Sequence, residues 1–291
     1  MPVPLVENAP AKVNLTLRVI RRRDDGYHDI ESLVAFADFG DHLSFSPGGK
    51  LALAVRGPGA AATGESDDNL VLKAARALAA RRPGVVLGAF DLDKRLPIAA
   101  GLGGGSADAG AALRLIAQAN EVARGDVDLY EAARATGADV PICLDPRARI
   151  MRGIGEVLSE PVVLPPLPAV LVNPGVAVPT KAVFWQWQRA GPPAAALDLA
   201  GLGKRSASAD RLLQLLSAQS NDLEGPAIAL APVIADVLTA LRPLAGCKLA
   251  RMSGSGATCF ALFASAAAAR EAAEILAGKY PQWWVRATTL G

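Results

Sequence analysis

The chain has 291 residues, of which 51% are apolar and 20% charged, and its formal net charge is +2. That near-balance, with no long lysine or arginine run, argues against a nucleic-acid footprint. Cys143, Cys247 and Cys259 are widely spaced and form no CxxC pair, which argues against a disulfide framework or a zinc site. The N-terminus lacks a basic segment followed by an apolar one, and no window approaches about 18 uninterrupted apolar residues, so the expectation is a cytoplasmic protein with no membrane partner.

In chain order, Val13, Leu15, Leu17 and Val19 alternate with Asn14, Thr16 and Arg18, the period-2 pattern of a half-buried strand. Arg21-Arg22-Arg23 followed by Asp24-Asp25 reads as a solvated hairpin end, with Gly26 supplying the turn. Strands are expected over 29–36, 41–46 and 51–55, then a loop over 57–68. A helix follows, capped by Asp68 or Asn69 and stopped by Pro83-Gly84. A strand over 85–92 leads to a loop over 96–105, a helix over 106–119 with Ser106 at its cap, and a helix over 128–135. Proline-rich 161–168 marks a domain junction, dividing the chain into 1–158 and 159–291. Beyond it come a strand over 169–172, a helix over 181–189, a loose connection over 191–208 and helices over 210–217 and 228–241. A strand over 247–251, a Gly-Ser loop, a strand over 258–263, a helix over 266–277 and a strand over 284–288 close the chain. The fold class is α/β (α+β).

The most informative stretch is Leu96-Pro97-Ile98-Ala99-Ala100-Gly101-Leu102-Gly103-Gly104-Gly105-Ser106-Ala107-Asp108. Glycines remove Cβ atoms and let the backbone approach a ligand, and a loop opening into a helix aims amide N–H groups and the positive end of the dipole at one place, which suits a polyphosphate. A tight turn is the other reading of the glycines alone. No lysine precedes Ser106, so this is not GxxxxGK[ST], and GxGxxG fails because Ser106 stands three after Gly103. The Ser106 hydroxyl could serve the helix, a phosphate oxygen or Mg²⁺, and Asp108 reads as an acidic residue stabilising the first turn.

Three motifs in order over nearly the whole chain carry a resemblance: Ala9-Pro10-Ala11-Lys12-Val13-Asn14-Leu15, the 97–106 loop, and Ser253-Gly254-Ser255-Gly256-Ala257-Thr258-Cys259. They resemble the superfamily of galactokinase, homoserine kinase, mevalonate kinase and phosphomevalonate kinase. Asp25-Gly26-Tyr27-His28, Gly137-Ala138-Asp139-Val140-Pro141 and Asn221-Asp222-Leu223-Glu224 point to its branch acting on a cytidine diphosphate sugar alcohol in non-mevalonate isoprenoid precursor biosynthesis. Ala99-Ala100 departs from the glycine-richer stretch often found there. The resemblance implies two lobes with the site in the cleft between them, ATP and Mg²⁺ as cofactors, and either a monomer or a homodimer.

Residue by residue, it implies Asp139 as the base, where the residues alone read as a turn, and Lys12 as its partner, where they read as a surface lysine. ATP would lie on Pro97, Ala99, Ala100, Gly101, Leu102, Gly103, Gly104, Gly105 and Ser106, with Asn69 toward the adenine unless it is only an N-cap. Asn14, Tyr27, His28, Thr180 and Phe184 would hold the substrate, Tyr27, His28 and Phe184 at its cytosine end; packed aromatics are the alternative. A sibling small-alcohol kinase and a non-catalytic phosphate-binding module are the competing functions. Lys12 together with Asp139 argues against the second, and the aromatic set against the first.

Overall fold

The chain begins with strands β1 (Leu5–Asn14), β2 (Arg18–Arg22), β3 (His28–Pro47) and β4 (Ala52–Arg56), then α1 (Leu70–Arg81), β5 (Gly88–Asp93), α2 (Gly104–Ala119), α3 (Val127–Thr136) and α4 (Val140–Leu144). It continues through β6 (Arg149–Gly153), β7 (Val157–Leu158), β8 (Leu167–Asn173), α5 (Thr180–Gln186), α6 (Ala209–Ser217), α7 (Glu224–Leu230) and α8 (Val233–Leu241). Strands β9 (Cys247–Met252) and β10 (Cys259–Phe263), helix α9 (Ala266–Lys279) and β11 (Trp284–Leu290) complete it. This computed structural model describes residues 4–60, 63, 68–187 and 208–291. Most of the connection expected over 191–208, the end of the helix expected over 181–189 and part of the 57–68 loop lie outside them. The mixed α/β class expected from the sequence is the one found.

Contacts divide the chain into two discontinuous units: Met1–Lys12, Phe39–Ile98 and Gly103–Pro146, and Val13–Asp38, Ala99–Leu102 and Arg147–Gly291. In the first, β4 runs parallel to β5, and β5 pairs antiparallel with β3 from His42↔Asp93 to Pro47↔Gly88. The α1 residues Val71, Leu72, Ala74, Ala75 and Leu78 form one buried stripe. Helix α2 is buried from Ala107 through Ala117, mostly by small residues, and packs against both α1 and α4. In the second unit β11, β8, β10 and β9 pair antiparallel in that order, with β3 joining β11 at Leu290↔Ala37. At its other end β3 lies between β2 and β6.

Several expectations are corrected. The strands expected over 29–36 and 41–46 are one, β3, because Gly40 admits the backbone of its neighbour; a Cβ there would lie 2.1 Å from the Ala9 carbonyl oxygen. The strand expected over 13–19 is instead the end of β1 and the start of β2, and its polar residues do not face solvent. Asn14 Nδ2 donates to Ser32 Oγ at 2.7 Å, and Thr16 Oγ1 accepts from the Leu33 N–H at 3.0 Å, so both satisfy themselves while buried. The helix expected over 228–241 is two, α7 and α8, separated at Pro232, which lacks the N–H a continuous helix needs. Helix α4 was not anticipated; Pro141 stands in its first turn, where a missing N–H costs nothing.

Close packing of α2 on α4 rests on Gly110, whose added Cβ would meet the Cys143 carbonyl oxygen at 2.6 Å. Gly110→Ala should therefore lower unfolding stability by about 1–3 kcal/mol in urea titrations, despite alanine's better helix propensity.

Candidate active site

Lys12, near the end of β1, is buried with its side chain 5% exposed, and its Nζ lies 3.0 Å from Asp139 Oδ2, whose side chain is 36% exposed. Asp139 stands at the N-cap of α4 but makes no cap bond with its side chain, leaving the carboxylate to Lys12. Arg114 of α2 ties their two elements together. It donates from Nη1 to the Cys143 carbonyl at 2.5 Å and from Nη2 to the Asn8 carbonyl at 2.8 Å, with Glu7 at 3.2 Å balancing its charge. Burial pushes the neighbouring Cys143 thiol up to about 12, and the Asp139 charge adds to the effect, so it is no nucleophile.

The glycine loop leads into α2 through Gly103, which is the N-cap in the left-handed conformation, φ 62° and ψ 21°, with no side-chain cap bond. Ser106, expected at the cap, is the third helical residue. A four-turn helix thus begins with main-chain N–H groups left uncapped by any side chain, the arrangement that binds anions. A Cβ on Gly103 would lie 3.1 Å from Lys12 Cε, so the missing side chain lets the loop lie against the buried lysine. Gly105 faces Leu70 of α1, beside Asn69, whose Oδ1 accepts from the Val71 N–H at 2.9 Å as the α1 N-cap. Leu102 is buried, Pro97 and Gly104 are partly exposed, and Ala99 sits at φ 51°, where non-glycine residues are uncommon.

Within the second unit, the first half of the loop docks on the 253–258 turn. Ser253 Oγ donates to the Gly101 carbonyl at 3.1 Å and the Thr258 N–H donates to the Ala100 carbonyl at 3.1 Å. A Cβ on Gly101 would lie 2.7 Å from the Ser253 carbonyl oxygen. Asn14 joins this cluster through its N–H, which donates to Ser253 Oγ at 3.1 Å. Asn221 Nδ2 donates to the carbonyls of Met252 and Gly254, both at 2.8 Å, so the Asn221-Asp222 motif braces the turn.

Of the aromatic residues, His28 and Phe184 stack with centroids 4.9 Å apart, and Trp187 meets His28 edge-on at 5.8 Å. Tyr27 is exposed at the hairpin end, and Thr180 Oγ1 lies 2.8 Å from Ser255 Oγ.

Sequence reasoning missed a buried cluster beneath the start of α2. Lys94 Nζ lies 2.5 Å from Asp41 Oδ2 and 2.6 Å from Asp108 Oδ2, all three nearly inaccessible. Asp108, expected to stabilise the first turn of α2, is instead an inward-facing partner of Lys94. Asp41 Oδ1 also accepts the N–H groups of Arg95 and Leu96, at 2.6 and 2.8 Å, pinning the segment that leads into the loop. A Cβ on Gly104 would lie 3.1 Å from Lys94 Nζ. The one available signal was Asp93-Lys94-Arg95, three charges standing directly before the loop. Burial opposes the Lys94 charge, but Asp108 and Asp41 outweigh it and hold its pKa above the ordinary value. Burial pushes Asp108 up to about 7, with Asp41 adding to burial and Lys94 opposing it. Asp41 collects three donors whereas Asp108 Oδ1 has no partner, so Asp108 is the less fully hydrogen-bonded of the two carboxylates.

Comparison with known proteins places these residues in context. The GHMP kinases N terminal domain matches residues 69–145, and the GHMP kinases C terminal domain matches 200–282. A 4-diphosphocytidyl-2-C-methyl-D-erythritol kinase of Methylobacterium radiotolerans is 56% identical, covering 98% of this chain and 99% of that protein. One from Rhodopseudomonas palustris is 53% identical, covering 98% and 97%. Among solved structures, a 4-(cytidine 5'-diphospho)-2C-methyl-D-erythritol kinase superposes with a TM-score of 0.77 at 36% identity, covering 99% of each chain. Homoserine kinase from Cytophaga hutchinsonii, with a TM-score of 0.69 at 21% identity over 100% of this chain and 96% of that one, shares the fold.

The folded Asp108 binds its proton more tightly than the unfolded residue, so its contribution to stability is full below pH 3.8 and is lost as pH rises through about 7. Urea titrations between pH 5 and 8 should show that loss, and Asp108→Asn should flatten it; an unchanged slope would move the titration to another group.

Proposed function

The chain belongs to the GHMP kinase family, among its 4-diphosphocytidyl-2-C-methyl-D-erythritol kinases, and from that we propose that it transfers the γ-phosphoryl group of ATP to the 2-hydroxyl of 4-diphosphocytidyl-2-C-methyl-D-erythritol. The observation that carries the reading is the 3.0 Å contact between a buried lysine and a partly exposed aspartate. Phosphoryl transfer asks the protein mainly to align an acceptor, neutralise charge and take a proton. The Asp139 carboxylate takes the hydroxyl proton, and its exposed side is where an alcohol would approach. Lys12, fixed from behind, supports the negative charge that grows on the acceptor oxygen as the proton leaves.

Bound ATP would supply the phosphoryl group, and Mg²⁺ would offset the charge that phosphoryl transfer develops. The residues fit that polyphosphate: Gly101 to Ser106 offer bare amides, Gly101 has no space for a side chain, and Gly103 takes a left-handed φ of 62° that side chains rarely adopt. Ser106, in the first turn of α2, is the group of this chain we assign to the ion. Pro97, Ala99 and Ala100 shape the entry of the loop, and Asn69 stands toward the adenine. Asn14 lies near the substrate polyol, Tyr27, His28 and Phe184 hold its cytosine end, and Thr180 is a further substrate contact. The two family matches fall one on each side of a division into 1–158 and 159–291, which supports those as functional halves.

Asp139→Asn should lower kcat by about 10²–10⁴-fold while leaving the KM for ATP nearly unchanged, as measured by ADP release. In the same assay the wild type should turn over the cytidine diphosphate sugar alcohol; turnover of mevalonate or homoserine instead would overturn the assignment.

A further inference from the structure

Three consecutive arginines stand at the hairpin, Arg21 and Arg22 ending β2 and Arg23 following it, and the hairpin treats them unequally. Arg21 stands opposite Asp29 in the antiparallel register and Arg22 opposite His28. Side chains alternate faces along a strand, so Arg21 and Arg23 share the Asp29 face while Arg22 shares the His28 face. Asp29 accepts from Arg21 at 2.7 Å and Arg23 at 2.6 Å, and Glu156 lies 3.7 Å from Arg23. Two of the three cations are thus compensated. Arg22 has no carboxylate partner among the described residues, and its guanidinium lies 5.1 Å from the centroid of the Trp185 ring.

Trp185 is 71% exposed, the most exposed large apolar side chain among those described. An exposed cation–π pair contributes little to folding, so stability does not account for leaving an indole in water. Its neighbour on α5, Phe184, stacks on His28, the residue opposite Arg22. Burial lowers the His28 pKa and the Arg22 charge lowers it further, consistent with the two side chains standing close together. An aromatic stack, His28 on Phe184, therefore has beside it an uncompensated guanidinium, Arg22 across the strand pair from His28, braced on Trp185, the residue after Phe184. A planar base followed by an anion matches that order.

We propose that Arg22, held in place by Trp185, is a specificity-determining residue that binds the diphosphate of a nucleoside diphosphate whose base lies at the His28–Phe184 stack. This rests on the reading that the aromatic set receives the cytidine end of the substrate. Guanidinium suits the task because its planar donors match phosphate oxygens while its face stays on the indole. The same site would favour a nucleoside diphosphate over the free nucleoside, and the preference would weaken with salt.

Titration calorimetry with cytidine and with cytidine diphosphate, on the wild type, Arg22→Gln and Phe184→Ala, tests this. Arg22→Gln should weaken cytidine diphosphate binding about tenfold, as expected for one charge-assisted contact, and leave cytidine binding and the KM for ATP unchanged. Arg22→Lys should recover only part of the loss, and Phe184→Ala should weaken both ligands. Equal diphosphate affinity in the wild type and Arg22→Gln, with Phe184→Ala still impaired, overturns the role of Arg22 alone. Phe184→Ala binding both ligands as tightly as the wild type overturns the nucleobase reading and the proposal with it.

Discussion

A lysine ammonium almost wholly removed from water has to be compensated, and Lys12 is compensated by Asp139 at 3.0 Å. Removing Asp139 would leave the Lys12 charge poorly solvated, and the surrounding structure holds the two together. Two features do this. Gly103 offers no Cβ, so the turn into α2 lies directly on the lysine stem. Gly110 and Arg114 fix α4 against α2, so Asp139 cannot drift away from β1. The same helix whose N-terminus no side chain caps also helps to set the distance between Lys12 and Asp139.

Beneath that N-terminus, Asp41, Lys94 and Asp108 do for the loop what Arg114 does for α4. Asp41 grips the backbone at Arg95 and Leu96, Asp108 belongs to α2, and Lys94 joins them. Buried ionic clusters of this kind contribute position more than stability, since their desolvation offsets most of the Coulombic gain. A loop rich in glycine gains most from such anchoring because its own backbone resists ordering. Ala99 at φ 51° adds a second constraint at the loop entrance, where the sequence departs from glycine.

Much of this was legible in the chain itself. The helix pattern from Leu70, its Asn69 cap and the strand–helix order after 247 follow from periodicity and capping chemistry, which are local. The glycine loop marked where α2 begins, but the cap expected at Ser106 lies at Gly103, whose left-handed turn starts the helix earlier. Asp139 and Lys12 were not identifiable by residue type; a turn aspartate and a strand lysine look ordinary until a motif match or a distance joins positions more than a hundred residues apart. The Asp41–Lys94–Asp108 cluster escaped for the same reason, and Asp108 misled because an acid near a helix start has a sufficient local explanation. Asn14 and Thr16 misled because their alternation with apolar residues imitates a solvent face, whereas long-range hydrogen bonds bury them. Pairing across the fold decides these cases.

The coupling of Lys12 and Asp139 is most directly measured by a double-mutant cycle on kcat, using Lys12→Met, Asp139→Asn and the two combined. If the pair acts as one unit on the acceptor oxygen, the double variant should be about as slow as the slower single variant. Losses that multiply, each substitution acting as though the other were absent, would contradict the account.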